Sequence, residues 1–202
     1  MNINSAILPT AYLPPIQYMN KLLTYSHCSI DGCEYFVKQT YRSRCNIYSP
    51  HGLFTLSIPL VNRNHKQLVK DVKISDDVNW QNHHWRTIQA AYRRSPFFEF
   101  YEDDFKMFYG DKKYEYLIDF NEALLQVILS LLKIKANYTY SNTFVDYHTY
   151  KDDYRLIISP KEKLMSDTTF VVKPYSQVFD EKYGFIENLS VIDLLFNQGN
   201  RS

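Results

Sequence analysis

Glycine is scarce in this sequence, with only 5 among 202 residues. Loops that cradle phosphate groups need glycine, because a residue without a side chain lets the backbone approach the phosphate closely. Neither G-x-G-x-x-G nor G-x-x-x-x-G-K-[ST] occurs anywhere in the chain. We therefore expect no nucleotide site of the glycine-loop type and no bound cofactor.

A long apolar run and an export signal are also lacking. The longest apolar stretch, Leu124 to Leu132, is interrupted by Gln126 and Ser130 and falls far short of the roughly 20 residues that span a bilayer. Residues 1–15 contain no basic region and no apolar segment of the length found in secretory signals. These features predict a cytoplasmic protein without a membrane span.

Charge and cysteine content point to no special partner. The formal net charge is only +1, which gives no bias toward nucleic acid or an anionic membrane. Cys28, Cys33 and Cys45 lack the spacing of a redox motif or a zinc knuckle, so free thiols are expected in a cytoplasmic chain. The side chains of His83 and His84 would leave a helix about 100° apart, so they would not readily hold one metal ion together. We expect no metal site and no nucleic-acid partner, and the sequence assigns no oligomeric state.

Apolar and aromatic residues, in contrast, are abundant and periodic. Hydrophobic residues make up 45% of the chain and charged residues 22%, which are the proportions of a globular protein. Alternation of apolar residues predicts strands at 6–13, 34–40, 44–48, 53–61 and 68–75. Helical spacing predicts helices over 16–25, 79–94, 97–108, 123–132 and 191–198. The region 137–173, rich in Tyr, Thr and Asp, is expected to form surface loops and a minor sheet.

These elements predict a single α+β domain over residues 1–202. Its sheet should be small, mixed or antiparallel, built from the N-terminal half and packed by central helices, and a short helix should end the chain. Pro9 predicts an edge position for the first strand, because proline cannot donate to a sheet. Ser190 and Asp193 have the spacing of a capping box for the last helix.

One basic stretch and one histidine pair are candidates for chemistry. In an extended strand, Lys38, Thr40, Arg42 and Arg44 would share one face, where several donors can bind phosphate or carboxylate. A solvated strand face is the alternative explanation of this pattern. His84 could serve as a general base, since histidine titrates near neutral pH, or it could be a hydrogen-bonded histidine of the core.

Several stretches, taken in order, resemble the WbqC-like family of bacterial surface-polysaccharide clusters. They are Tyr12-Leu-Pro14 with Tyr18, Lys38 to Arg44, Ile58-Pro59, Asp71 to Ile74, Trp80 to Tyr92, Tyr175-Ser-Gln177 and Leu189 to Gly199. They are scattered over nearly the whole chain, and it is their ordered combination that is specific. The sequence departs from the family pattern at Pro9-Thr10, where relatives carry glutamine, and at Gly32-Cys33, where relatives carry a pair of aspartates.

The resemblance implies a protein of O-antigen and other surface-glycan biosynthesis, with a suspected transferase activity. The expected substrate is a small molecule or glycan precursor, and acyl or aminoacyl transfer to a sugar is the expected reaction. In this hypothesis His84 is the general base, Lys38, Arg42 and Arg44 bind the anionic part of the substrate, and the pocket is lined by Tyr12, Tyr18, Tyr41 and Gln177. The alternative is a non-catalytic partner or scaffold protein of a polysaccharide cluster. A pocket that joins Lys38 to His84 would favour the enzyme.

Overall fold

Helices and strands are mixed along the chain in its computed structural model, which describes residues 4–61, 66–110, 113–147, 149–161 and 167–201. The strands are β1 Ser5–Pro9, β2 His27–Asp31, β3 Arg44–Ser49, β4 Gly52–Ser57, β5 Tyr138–Tyr140 and β6 Asp152–Asp153. The α-helices are α1 Ile16–Thr24, α2 Trp80–Tyr92, α3 Phe98–Lys106, α4 Leu117–Leu131, α5 Asp180–Tyr183 and α6 Val191–Gln198. The predicted α+β class with a short C-terminal helix is thus confirmed. No helix within these ranges is long and apolar enough to cross a membrane.

Four strands form a parallel sheet in the order β5-β2-β1-β6. The connection from β1 to β2 runs through α1, because parallel neighbours cannot be joined by a tight turn. Ala6, Ile7 and Leu8 are fully buried, as expected of a strand covered on both faces. The carboxyl ends of all four strands therefore meet at one edge of the sheet.

The edge position predicted for β1 is wrong, since β1 lies between β2 and β6. Pro9 is tolerated there because it is the last residue of the strand and β6 pairs only with Ala6 and Ile7. The sheet also draws β5 and β6 from the second half of the chain. Their pairing partners lie more than 100 residues away, so alternation along the sequence could not reveal them.

The predicted hairpin is confirmed as the antiparallel pair of β3 and β4. Gly52 follows the turn with a φ of 91°, a left-handed conformation that favours glycine. Residues 38–43, in contrast, form turns and a bend and not the predicted strand. The segment 68–75 contains a short 3-10 helix at Val69–Asp71. Lys38 and Arg42 therefore do not share a strand face with Arg44.

The C-terminal helix forms as predicted, but its capping box does not. The Oγ of Ser190 donates to the carbonyl of Leu13 at 2.8 Å, and no side chain caps the helix. Asp193 is fully buried, and its carboxylate accepts hydrogen bonds from Tyr175 and Gln177. Both polar side chains are used to join α6 to other segments, so tertiary contacts override the local cap.

We predict that Ser190→Ala lowers the free energy of unfolding by about 1–3 kcal/mol, because it leaves the buried carbonyl of Leu13 without its donor. Urea unfolding followed by circular dichroism measures the change. Ser130→Ala, at an exposed position of α4, is the matched control and should change stability by less than about 0.5 kcal/mol. Equal effects of the two substitutions would show that the Ser190 hydrogen bond contributes nothing.

Candidate functional site

A network of buried charges occupies the carboxyl end of the parallel sheet. Arg155 follows β6, and its Nη1 donates to Oδ2 of Asp31, the last residue of β2, at 2.6 Å. Its Nη2 donates to Oδ2 of Asp153 at 2.6 Å. The side chains of Arg155 and Asp31 are both 0% exposed, so the charge of Asp31 depends on Arg155 for its compensation.

A second buried pair holds the loop between β2 and β3. The Nε of Arg42 donates to Oε1 of Glu34 at 2.7 Å, and its Nη2 donates to the carbonyl of Arg155 at 3.2 Å. The side chains of Arg42 and Glu34 are each 1% exposed. The guanidinium of Arg42 is thus bound to the protein itself, and no donor face is presented to solvent.

His84 lies in the core, 3% exposed. Its Nδ1 is 2.9 Å from the hydroxyl of Tyr12, which in turn is 2.8 Å from the hydroxyl of Tyr109. Burial, with a smaller effect of His83, lowers the pKa of His84 to about 3, so the ring is neutral at physiological pH. The role of His84 as a general base stays a prediction, and this geometry supports the alternative of a hydrogen-bonded core histidine.

The other residues of the predicted site are only partly brought together. The amide of Tyr12 donates to the carbonyl of Tyr41 at 2.8 Å, so Tyr12, Tyr41 and His84 are neighbours. Tyr18 is buried on α1, and Gln177 is bound to the carbonyl of Ile186 and to Asp193 near α6. Lys38 and Arg44 are half-buried, at a turn and at the start of β3.

A cleft of about 500 Å³ lies beside the edge strand β6, and we call it the edge cleft. None of the residues of the predicted site lines it. Three tyrosines and three aspartates dominate its walls: Tyr147, Tyr150, Tyr154, Asp152, Asp153 and Asp167. Sequence reasoning missed this site, because the region 137–173 has no periodicity; its richness in Tyr, Thr and Asp was the one available signal.

One wall of the edge cleft rests on the buried charges of the sheet. The guanidinium of Arg155 lies 4.2 Å from the centre of the Tyr147 ring. Arg155 also donates to the carbonyls of Val145 and Asp146, so it holds the segment that carries Tyr147. Arg155 therefore joins the segment of Tyr147 to Asp31 at the end of β2.

Another part of the lining of the edge cleft is held by a residue of α1. The Nζ of Lys21 is 2.7 Å from Oδ2 of Asp167 and donates to Oγ1 of Thr169 at 2.7 Å; it also lies 4.7 Å from the centre of the Tyr154 ring. Although burial acts to raise it, hydrogen bonds from Lys21, Gln17 and Thr169 lower the pKa of Asp167 to about 2. Asp167 is thus an ionised, fixed part of the wall.

These groups define what the edge cleft can bind. Tyrosine offers an apolar ring face and a polar hydroxyl, and carboxylates accept hydrogen bonds from hydroxyl or amino groups. Apolar walls with a few placed polar groups, and a volume in this range, are typical of small-molecule sites. Within the described ranges, no group of three or more His, Cys, Asp or Glu side chains could hold a metal ion.

Comparison with known proteins places this chain in a family. The chain belongs to the WbqC-like protein family, whose sequence profile matches residues 10–173, and the resemblance found in the sequence is thereby confirmed. The matched range includes every residue that lines the edge cleft. The chain is similar to the uncharacterized protein Rv1507c of Mycobacterium tuberculosis, at 24% identity over 96% of this chain and 93% of that protein. No solved structure matches the chain.

We predict that Arg155→Met lowers the free energy of unfolding by about 3–5 kcal/mol, because it leaves Asp31 buried without a cation. Denaturant unfolding measures the loss. Lys73→Met is the matched control, since the side chains of Lys73 and Glu115, which form an ion pair, are 48% and 62% exposed. An exposed pair contributes about 1 kcal/mol or less to stability. An Arg155→Met effect no larger than that of the control would mean that the buried network does not hold the fold.

A second prediction concerns the pH dependence of stability. A pKa of about 3 for folded His84 lies below the value of about 6.5 in an unfolded chain. The unfolded state therefore binds more protons in this window, and stability falls as the pH is lowered from 6.5 toward 3. Between pH 6.5 and 5, the wild type should lose about 2 kcal/mol more than His84→Gln.

Denaturant unfolding of both proteins across this pH range measures the difference. Burial raises the pKa of Asp193 to about 6, which makes stability rise as the pH falls through the same window. Because Asp193 is present in both proteins, its contribution cancels in the comparison. Parallel pH profiles of the two proteins would show that His84 takes up protons in the folded state and is not held neutral by burial.

Proposed function

We propose that this protein is a transferase that acts on a sugar or glycan precursor in bacterial surface-polysaccharide biosynthesis. The precursor would be a nucleotide sugar or a lipid-linked glycan, and the transferred group would be acyl or aminoacyl. The observation that carries the proposal is the edge cleft, in which tyrosine rings and carboxylates line one concave surface. Membership of the WbqC-like family supports the biosynthetic context.

The chemistry of the edge cleft suits a sugar ring. A pyranose has apolar C–H faces and a rim of hydroxyl groups, so it is complementary to tyrosine rings flanked by carboxylates. Tyr150 is half-buried, and it has no ring or hydrogen-bond partner among the contacts of the described residues. Its ring can therefore contact a ligand without losing an interaction within the protein.

The basic residues of the predicted site have different roles in this function. Arg42 acts as a positioning residue, because its guanidinium holds Glu34 and the carbonyl of Arg155. Lys38 and Arg44 form no ion pair within the described ranges, but neither lines the edge cleft, so their contact with the anionic part of a substrate stays a prediction. Tyr12 and His84 support the core beside the sheet.

The burial of the predicted chemical groups favours a second candidate function, that of a non-catalytic binding partner or scaffold. Arg42 and His84 are both enclosed by protein, so the residue first assigned to catalysis, His84, and one of those assigned to substrate binding, Arg42, do not line the edge cleft. In this alternative the protein binds a glycan precursor and presents it to another component. The two functions share the ligand and differ in whether the ligand is changed.

We predict that N-acetylglucosamine and UDP-N-acetylglucosamine bind in the edge cleft, and that Tyr150→Ala weakens their binding about tenfold, which corresponds to about 1.4 kcal/mol. Titration followed by protein NMR measures the dissociation constants. Tyr35→Ala is the matched control, because Tyr35 is an exposed tyrosine outside the edge cleft and its loss should leave binding unchanged.

Mass spectrometry of the sugar after incubation with an acyl donor, acetyl-coenzyme A, distinguishes the two functions. A mass increase that requires Tyr150 supports the transferase. Binding with no change in mass across a panel of acyl and aminoacyl donors favours the scaffold. A wild-type protein that binds neither sugar would contradict both.

A further inference from the structure

The three aspartates of the edge cleft differ in how their charges are compensated. Asp153 pairs with Arg155, and Asp167 pairs with Lys21; both cations are buried. Asp152 forms no ion pair within the part of the chain that the structure describes. Of the three cleft aspartates, Asp152 is therefore the one whose charge is available to pair with a cation of the ligand.

The surroundings of Asp152 shield its side chain partly from solvent. It is half-buried on the short strand β6, where its backbone is aligned with Ala6 of β1. The hydroxyl of Tyr25 lies 2.8 Å from the hydroxyl of Tyr154, and its pKa is raised by burial, by Tyr154 and, to a smaller extent, by the nearby carboxylate of Asp152. A partly desolvated carboxylate attracts a cation more strongly than an exposed one does.

The neighbouring cation does not neutralise this carboxylate. Lys151 is the next residue and lines the same cleft, but its side chain is exposed and no ion pair joins it to Asp152 among the described residues. Solvent screens a charge at such a position. The negative potential at Asp152 thus remains available within the cleft.

The aromatic lining adds a second attraction for a cation. Two cleft tyrosines already lie beside cations of the protein: Tyr147 beside Arg155 at 4.2 Å and Tyr154 beside Lys21 at 4.7 Å, measured to the ring centres. Tyr150 has no such partner among the described contacts, so its ring face is open to a cation of the ligand. An ammonium group near Asp152 would meet a carboxylate and aromatic rings together.

From this geometry we infer that the edge cleft selects a sugar bearing a primary ammonium group, with Asp152 pairing with the ammonium and the tyrosines contacting the sugar ring. This inference rests on the proposed sugar-binding function and names its substrate class as amino sugars. It predicts discrimination between ligands that differ only at one nitrogen. N-acetylation of the amine removes the charge and should remove the preference.

The test compares glucosamine, glucose and N-acetylglucosamine at pH 6, where the free amine is protonated. NMR titration of the wild type should give glucosamine a dissociation constant about tenfold lower than that of glucose, which corresponds to about 1.4 kcal/mol. Asp152→Asn should abolish this preference, so that glucosamine and glucose bind the variant with similar affinity. Asp152→Glu keeps the charge and should keep the preference.

Asp103→Asn is the matched control, because it removes a carboxylate from an exposed position on α3 and should leave the preference intact. A wild type that binds glucose and glucosamine equally would overturn the amino-sugar inference and leave the sugar-binding proposal standing. A preference that survives in Asp152→Asn would also overturn it. If none of the three sugars binds, the proposed function itself fails.

Discussion

The rest of the structure depends on the buried ion pair between Arg155 and Asp31. These residues are 124 positions apart. Asp31 ends β2 and Arg155 follows β6, and these two strands are separated in the sheet by β1. Neither charge reaches solvent, so the separation of one from the other would leave an uncompensated charge inside the protein. The pair thereby joins the segment after β6, in the second half of the chain, to the end of β2, in the first half.

A buried ion pair also anchors the segment around Asp167, which lines the edge cleft. Lys21 on α1 forms an ion pair with Asp167, just as Asp31 does with Arg155. Asp167 and Arg155 both lie in segments that lack regular secondary structure. Loops are usually the variable and mobile parts of a fold, and here buried charges hold two of them in fixed positions. A ligand site formed by such loops is pre-organised, which reduces the entropy lost on binding.

The polar residues that suggested chemistry are largely used for architecture. Arg42 ties a loop to the sheet, and His84 continues a hydrogen-bonded series through Tyr12 and Tyr109. Sequence stretches typical of the WbqC-like family therefore include positioning residues as well as any that contact a substrate. The open carboxylate and the open aromatic ring, Asp152 and Tyr150, lie in a region without any recognisable motif.

Local patterns in the sequence were sufficient for α1, α2, the hairpin of β3 and β4, and α6, because side-chain period and turn residues act over a few positions. The absence of glycine loops is likewise a property of the sequence alone. The parallel sheet, the burial of His84 and the pairing of Arg155 with Asp31 were decided only by the tertiary structure. They depend on which distant segments come into contact. A single charged residue has no sequence periodicity, so its position in the sequence does not reveal whether it is exposed to solvent or buried with a partner.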